Sequence, residues 1–277
     1  MRKYTLLFLL FVLTTVAFGQ KKDKIKGSKI VTTEQRKIGD FESLTVEDNL
    51  EVYLERGERA ELKIEADENL HDIIALDESD NSLRIYTSKQ ATNFKKLIVR
   101  ITYTSDLKSI TSKNETTVTA IQEVLLDDFA LKANDASKMF MNVNASNFVL
   151  QSNDKSKTEL NIKSEKTTIE LSKNASLKAL LTATDLKIDM YQKSDATLEG
   201  EATNAIIRLD NNASLTANKL TLKNADITTE SYSNCSVNVS TTVLIDAANK
   251  SEIHLVGAAK IEIRKFADEA KLIKKLK

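Results

Sequence analysis

Three carboxylates and two tyrosines are the residues of this chain whose types and spacing could do chemistry. Glu170, Asp189 and Asp210 recur at steps of 19 and 21 residues, so a chain coiling with that period would bring them to one outer face. Two carboxylates at a set separation hydrolyse glycosidic bonds, and clustered acids hold calcium. Lys187 and Arg208 lie two residues before Asp189 and Asp210, with Lys163 and Lys178 nearby, and interspersed signs are the pattern of a solvated face. Tyr191 and Tyr232 each precede a polar turn and, in a chain with no Trp, are the aromatic surfaces a sugar would use. His71, in Asn69-Leu-His-Asp-Ile73, reads as a solvated residue on a short turn; His254, between Ile253 and Leu255, points outward by alternation. Cys235 is the one cysteine, which excludes an intramolecular disulfide and any zinc site built from several thiolates. It reads as a small buried corner residue, in the slot held elsewhere by Ala136, Ala175, Ala196 and Ala213, with no base beside it. The expectation is a non-enzyme with no catalytic residues, no metal and no cofactor, and with Tyr191, Tyr232, Glu170, Asp189 and Asp210 as its ligand face.

The elements that must position these residues are strands. Apolar residues alternate in Leu50/Val52/Leu54, Val99/Ile101/Tyr103, Ile169/Leu171, Leu186/Ile188/Met190 and Ile207/Leu209, which puts them on one face of a strand. Helical spacing is confined to the neighbourhood of Asp67–Ala75, where Asp67 is placed to cap a short turn over Leu70, Ile73 and Ile74. A turn of the form [Asn/Asp]-x-[Ser/Thr] recurs at Asn114, Asp135, Asp154, Asn174, Asp195, Asn212, Asn234 and Asn249, with a degenerate copy at Asp268. The steps are 21, 19, 20, 21, 17, 22, 15 and 19 residues, a solenoid-type period. Apolar candidates flank each turn, for example Phe129 and Leu131 before Asp135 and Met139, Met141 and Val143 after it. One such unit cannot bury its apolar face alone, but stacked coils share a continuous core. The reading is an all-β parallel β-solenoid with about 19–20 residues per coil, an Asn/Asp–Ser/Thr ladder at one corner and an irregular N-terminal β cap. An antiparallel sandwich also spaces its strands regularly. It does not require one turn chemistry at one period, and six Gly with no Pro leave few tight-hairpin signals. Five of the turns match the glycosylation sequon, but turn chemistry accounts for the Asp copies as well and the sequon does not.

Charge and address narrow the function classes. Forty basic residues balance forty acidic ones, which argues against a nucleic-acid partner. Arg2 and Lys3, the apolar run Leu6–Leu13 and the small residues Ala17 and Gly19 have the layout of a signal peptide over residues 1–19. That run is too short to span a bilayer, and no span is expected after cleavage. Residues 20–38 form the start of the mature chain, 39–265 a single solenoid domain (39–110 the cap and first coils, 111–265 the repeats), and 266–277 a basic end. Lys274, Lys275 and Lys277 there would discourage end-to-end stacking. The expected location is exported: periplasm, outer surface or extracellular.

The run Gly39-Asp-Phe41-Glu-Ser-Leu44-Thr-Val46, then Leu50-Glu-Val52-Tyr53-Leu54, Glu61-Leu-Lys-Ile-Glu-Ala66-Asp67-Glu68-Asn69-Leu70 and Ser82-Leu83-Arg-Ile85 resembles the auto-transporter adhesin head GIN domain family of secreted bacterial proteins. The likeness covers roughly residues 39–265. That family often has Ser-Gly-Ala-Ser at the corners, where this chain has Asn or Asp, and both suit left-handed backbone. The resemblance implies a β-helical fold and an exported location, and it brings no catalytic residues. The expected function is adhesion or ligand binding through the side of the solenoid, with glycans or an envelope protein as partner. The alternatives are a β-helical carbohydrate-active enzyme, to which the Glu170/Asp189/Asp210 stripe would belong, and a purely structural envelope protein.

Overall fold

Val, Ile and Thr alternate with charged residues over most of the chain, and a strand so patterned buries its apolar face only by lying on others like it. The structure, a computed structural model that describes residues 22–275, is a parallel β-solenoid. The expected signal peptide, 1–19, lies outside the described residues.

The first strands are β1 (Lys24–Lys26), β2 (Val31–Arg36), β3 (Ser43–Val46), β4 (Glu51–Arg56) and β5 (Glu61–Asp67). A 3-10 helix at Glu68–Ile73 precedes β6 (Ile74–Ser79), β7 (Ser82–Thr87), β8 (Gln90–Thr92) and β9 (Leu97–Tyr103). The coils continue through β10 (Ser109–Ser112), β11 (Thr117–Ala120) and β12 (Val124–Ala133). Then come the long strands β13 (Lys138–Ser152), β14 (Lys157–Leu171), β15 (Ser176–Met190), β16 (Asp195–Leu209), β17 (Ser214–Thr229) and β18 (Asn234–Ala247). The last are β19 (Glu252–Val256), β20 (Lys260–Phe266) and β21 (Lys271–Lys274).

Each long strand pairs in parallel with the next and bends once, so a coil has two sides. In β13 the inward residues are Met139, Met141, Val143 and Ala145, then Phe148, Leu150 and Ser152. Ser146 and Asn147 point outward consecutively at the bend. Stacking aligns identical chemistry: Ile169, Ile188, Ile207, Ile227 and Ile245 are register partners in one inward column, all buried. At the bend Asn147 donates to Asp128 (2.8 Å), Asn204 to Asp185 (3.0 Å) and Asn224 to Asn204 (3.2 Å).

The other corner is a left-handed pair of residues, and the structure corrects its register. The positive-φ pairs begin at Asn114, Asp135, Lys173, Gln192, Asn211, Ser231, Asn249 and Asp268, with Asp154 alone at the remaining corner. The steps from 114 to 268 are 21, 19, 19, 19, 19, 20, 18 and 19 residues, more regular than the motif suggested. The expected turns at Asn174 and Asn212 are one residue late, and those at Asp195 and Asn234 three residues late. Asp195 and Asn234 are the first residues of β16 and β18, just beyond the corner. The slip has a physical cause: Asn and Asp are enriched in left-handed backbone without being required there, and they also suit the outward strand positions beside it. Cys235 accordingly sits in the inward row of Leu215 and Ile253 rather than at a corner. The Ser/Thr ladder is real in part: Ser112 and Ser137 bond at 2.8 Å and Thr229 and Ser251 at 3.0 Å, all buried.

The N-terminal coils do not stack in sequence order. β3 and β4 lie on β10 and β11, yet β7 and β9 lie on the opposite side of β3 and β4. The chain therefore makes its second coil first, runs outward through β5 and β6, lays down the outermost coil, and returns beneath. β5 then covers β9 antiparallel, β2 covers β5, and β6 covers β7. Leu70 and Ile73 of the 3-10 helix are buried against the end of the core.

Asp67 holds this cap together, but not as the expected helix cap. Its side chain makes no capping bond to the 3-10 helix. Fully buried, its carboxylate accepts from the backbone N–H groups of Lys29 (2.8 Å), Lys95 (3.0 Å) and Lys96 (2.9 Å). Burial raises its pKa, and these three N–H groups outweigh burial, leaving it below the ordinary value. His71 is buried rather than solvated, with Nε2 2.9 Å from the Thr32 hydroxyl.

Candidate functional site

The side of a solenoid is a grid of outward rows, about 4.8 Å apart from coil to coil. Its register decides which side chains meet. Glu170 and Asp189 are direct partners on β14 and β15, as their spacing predicted. Asp210 is not in their row: Arg208 pairs with Asp189, and Asp210 lies past the end of β16 at the corner, in line with Tyr191. Nor do the two aligned acids form an open pair. Glu170 accepts from Gln151 (2.9 Å), and Asp189, 7% exposed, is bound by Lys187 at 2.8 Å and approached by Arg208 at 4.0 Å. The Asp189 carboxylate in turn raises the pKa of Lys187. The stripe is thus a charge-balanced ladder up to Arg208, beyond which its row passes to Thr228; nearer the C-terminal end Arg264 bridges Asp226 and Asp246.

The tyrosines share a corner but not a row. Tyr191 is half-buried just before the left-handed pair Gln192–Lys193. Tyr232 occupies the second left-handed position of its own corner (φ 63°), is 58% exposed, and lies 5.9 Å from the Lys250 ammonium. Left-handed backbone is uncommon for so bulky a residue. His254 points outward as expected, its Nε2 2.5 Å from Glu252. Cys235 is fully buried, and burial pushes its thiol up to about 12, so it is no nucleophile. Among the described residues no three His, Cys, Asp or Glu side chains are placed to hold a metal ion.

Register brings together a different set that residue-type reasoning missed. Phe140, Glu159, Lys178 and Thr197 form one outward row across β13–β16, and Asn142, Asn161, Leu180 and Glu199 form the row beside it. Between them runs a groove of about 580 Å³, within the size range of small-molecule sites. Its floor includes Met141, Leu160 and Ala179, inward residues that stay nearly buried. The Asn161 amide donates to the Asn142 oxygen at 2.6 Å, Leu180 is 54% exposed, and Lys219 neutralises Glu199 at 2.8 Å. The groove has an aromatic ring, an exposed aliphatic side chain, an amide pair and both signs of charge along one line. Apolar surface beside fixed donors and acceptors suits a polyhydroxylated ligand, whose carbons and hydroxyls lie side by side. Alternation marks each of these residues as outward, but only the pairing between coils shows that they are neighbours.

The family model described as "Putative auto-transporter adhesin, head GIN domain" matches residues 40–179 and 152–259. The fold is shared by solved structures of low identity. A protein from Parabacteroides distasonis called a putative adhesin has a TM-score of 0.70 at 15% identity, covering 91% of this chain and 100% of that one. One from Parabacteroides merdae, also called a putative adhesin, has a TM-score of 0.64 at 18% identity, covering 91% and 99%. A third, from Parabacteroides distasonis and called a putative lipid binding protein, has a TM-score of 0.64 at 15% identity, covering 91% and 100%. No curated protein matches the chain. Among the described residues no helix is long and apolar enough to cross a membrane.

Proposed function

This chain belongs to the family described as "Putative auto-transporter adhesin, head GIN domain", and from that premise we propose that it is an exported, non-enzymatic binding protein of the cell envelope or surface, taking an extended glycan along the groove between Phe140 and Leu180. The observation that carries this reading is the double row Phe140/Glu159/Lys178/Thr197 and Asn142/Asn161/Leu180/Glu199. It lines up apolar surface, amides and both signs of charge along four successive coils, a length that several units of an extended polymer would span. The family description and the adhesin names of two structural neighbours support a binding role, while the lipid-binding name of the third supports an amphiphilic ligand as the competing occupant. Lys187 and Arg208 beside Asp189 weigh against hydrolysis or elimination at the Glu170/Asp189 row, because a general acid needs an uncommitted carboxyl. A second contact surface is the corner that presents Tyr232, exposed on left-handed backbone, with Tyr191 and Asp210 behind it. The signal-peptide layout of residues 1–19 supports export.

The test is binding of the exported chain to a panel of acidic and neutral polysaccharides, with polymer length read in the same wells. Phe140→Ala is expected to weaken binding at least tenfold, about 1.4 kcal/mol. Binding lost on Tyr232→Ala and unchanged by Phe140→Ala would move the site to the corner. Shortening of any polymer would overturn the non-enzymatic reading, and silence across the panel would overturn the glycan.

A further inference from the structure

The inward isoleucine column that is buried from Ile169 to Ile245 continues to Ile263 in β20, which is 50% exposed. Ile261, half-buried, and Phe266, 44% exposed, also lie in inward register, over Val243 and Ala247. β20 pairs with β18 along one edge, and among the described residues no strand pairs with its other edge. An unpaired apolar strand edge over an open core is the surface that β-proteins ordinarily cover or blunt. Its neighbour β21 is blunted at an inward position, where Lys274 stands above Leu255. β20 has no charge at its inward positions Ile261, Ile263 and Phe266.

We infer that the free edge of β20 is the docking surface for a second copy of this chain, paired antiparallel about a two-fold axis through Ile263. Three observations select that occupant. The exposed inward side chain Ile263 needs an apolar neighbour, and on the two-fold axis Ile263 of another copy supplies one. The charges of β20 are self-complementary: Glu262 and Arg264 flank Ile263, so antiparallel pairing centred there sets Glu262 of each copy against Arg264 of the other. Glu262 makes no ion pair among the described residues, while Arg264 is held in place by Asp226 and Asp246. Pairing about a two-fold axis uses the β20 edge of both copies, so association stops at a closed pair rather than growing into a filament, while at the opposite end Leu70 and Ile73 are buried over the core. The lysines of β21 keep that side of the junction apart and leave β20 as the contact.

Sedimentation of the exported chain over a concentration series reads the result directly. The chain is expected to dimerise, Ile263→Lys to lose the dimer, and Glu262→Arg to weaken it at least tenfold by setting like charges together. Ile206→Lys, at an exposed apolar residue on the side of the solenoid, is expected to leave it unchanged. Circular dichroism of each variant confirms that the coils are intact. A wild-type chain that stays monomeric up to about 100 μM, a dimer indifferent to Ile263→Lys, or an open filament would each overturn the inference. Glycan binding by the groove does not enter this readout, so the two proposals fail separately.

Discussion

The two ends of the solenoid meet the same physical problem in different ways. A stack of coils ends in exposed core residues and unpaired strand edges. At the N-terminal end the chain departs from its period, inserts β5 to β9, and closes the core with Leu70 and Ile73. A buried carboxylate, Asp67, gathers the backbone of Lys29, Lys95 and Lys96 around that closure. At the C-terminal end the period continues to the last described strand, and the inward residues Ile263 and Phe266 are left exposed. A cap needs residues that break the repeat, and among the described residues they occur on one side only. The contrast teaches that repeat chemistry alone builds the column but does not finish it.

The largest expected effect breaks the capped end. Asp67→Ala leaves three part-buried N–H groups without their acceptor, at a cost of up to about 1–3 kcal/mol each. Chemical denaturation should show it, and hydrogen exchange should place the loss in residues 22–103 rather than in the repeats. Next comes a comparison within one column. Ile227→Ala, buried in mid-stack, should cost about 2–5 kcal/mol, whereas Ile263→Ala at the open end should cost less than about 1 kcal/mol in dilute protein. Equal losses would mean that the open end is already covered in the single chain.

The smallest effect is on pH. Lys96 and Arg100 hold the Glu65 carboxyl at about 2, far below its ordinary value. A depressed pKa contributes stability that is present above the unfolded value, about 4.3, and is lost as pH falls toward 2. Acid unfolding of the cap should therefore begin below about pH 4.3, and Glu65→Gln should remove this part of the pH dependence. Hydrogen exchange at pH 3 would show the cap loosening before the repeats.

Much of the fold was legible because solenoid physics is local and repetitive. Alternation in Ile169/Leu171 or Leu186/Ile188/Met190 names the buried face of each strand without knowledge of its partner. The corner register was less legible, since Gln192–Lys193 and Ser231–Tyr232 adopt left-handed backbone without Asn or Asp at either position. Of the alignment expected for the acids only part was legible: Glu170 and Asp189 do align, but a corner shifted by three residues hid the fact that Arg208, not Asp210, completes their row. The groove could not be read at all from residue types, because Phe140, Asn161 and Leu180 are unremarkable singly and lie about one coil apart in sequence.

The sequence by itself determined that this protein is all-β, that its coils repeat about every 19 residues, and which side chains face inward, because period two and period nineteen are both written in residue type. It also carried the family, through the run from Gly39 to Ile85. Only the tertiary structure decided that the coil made by β7 and β9 lies outside the one made by β3 and β4, that Asp67 serves three distant N–H groups, and that one end is closed while the other is open. Those outcomes depend on contacts between segments far apart in the chain, and no local pattern encodes which coil comes to rest on which.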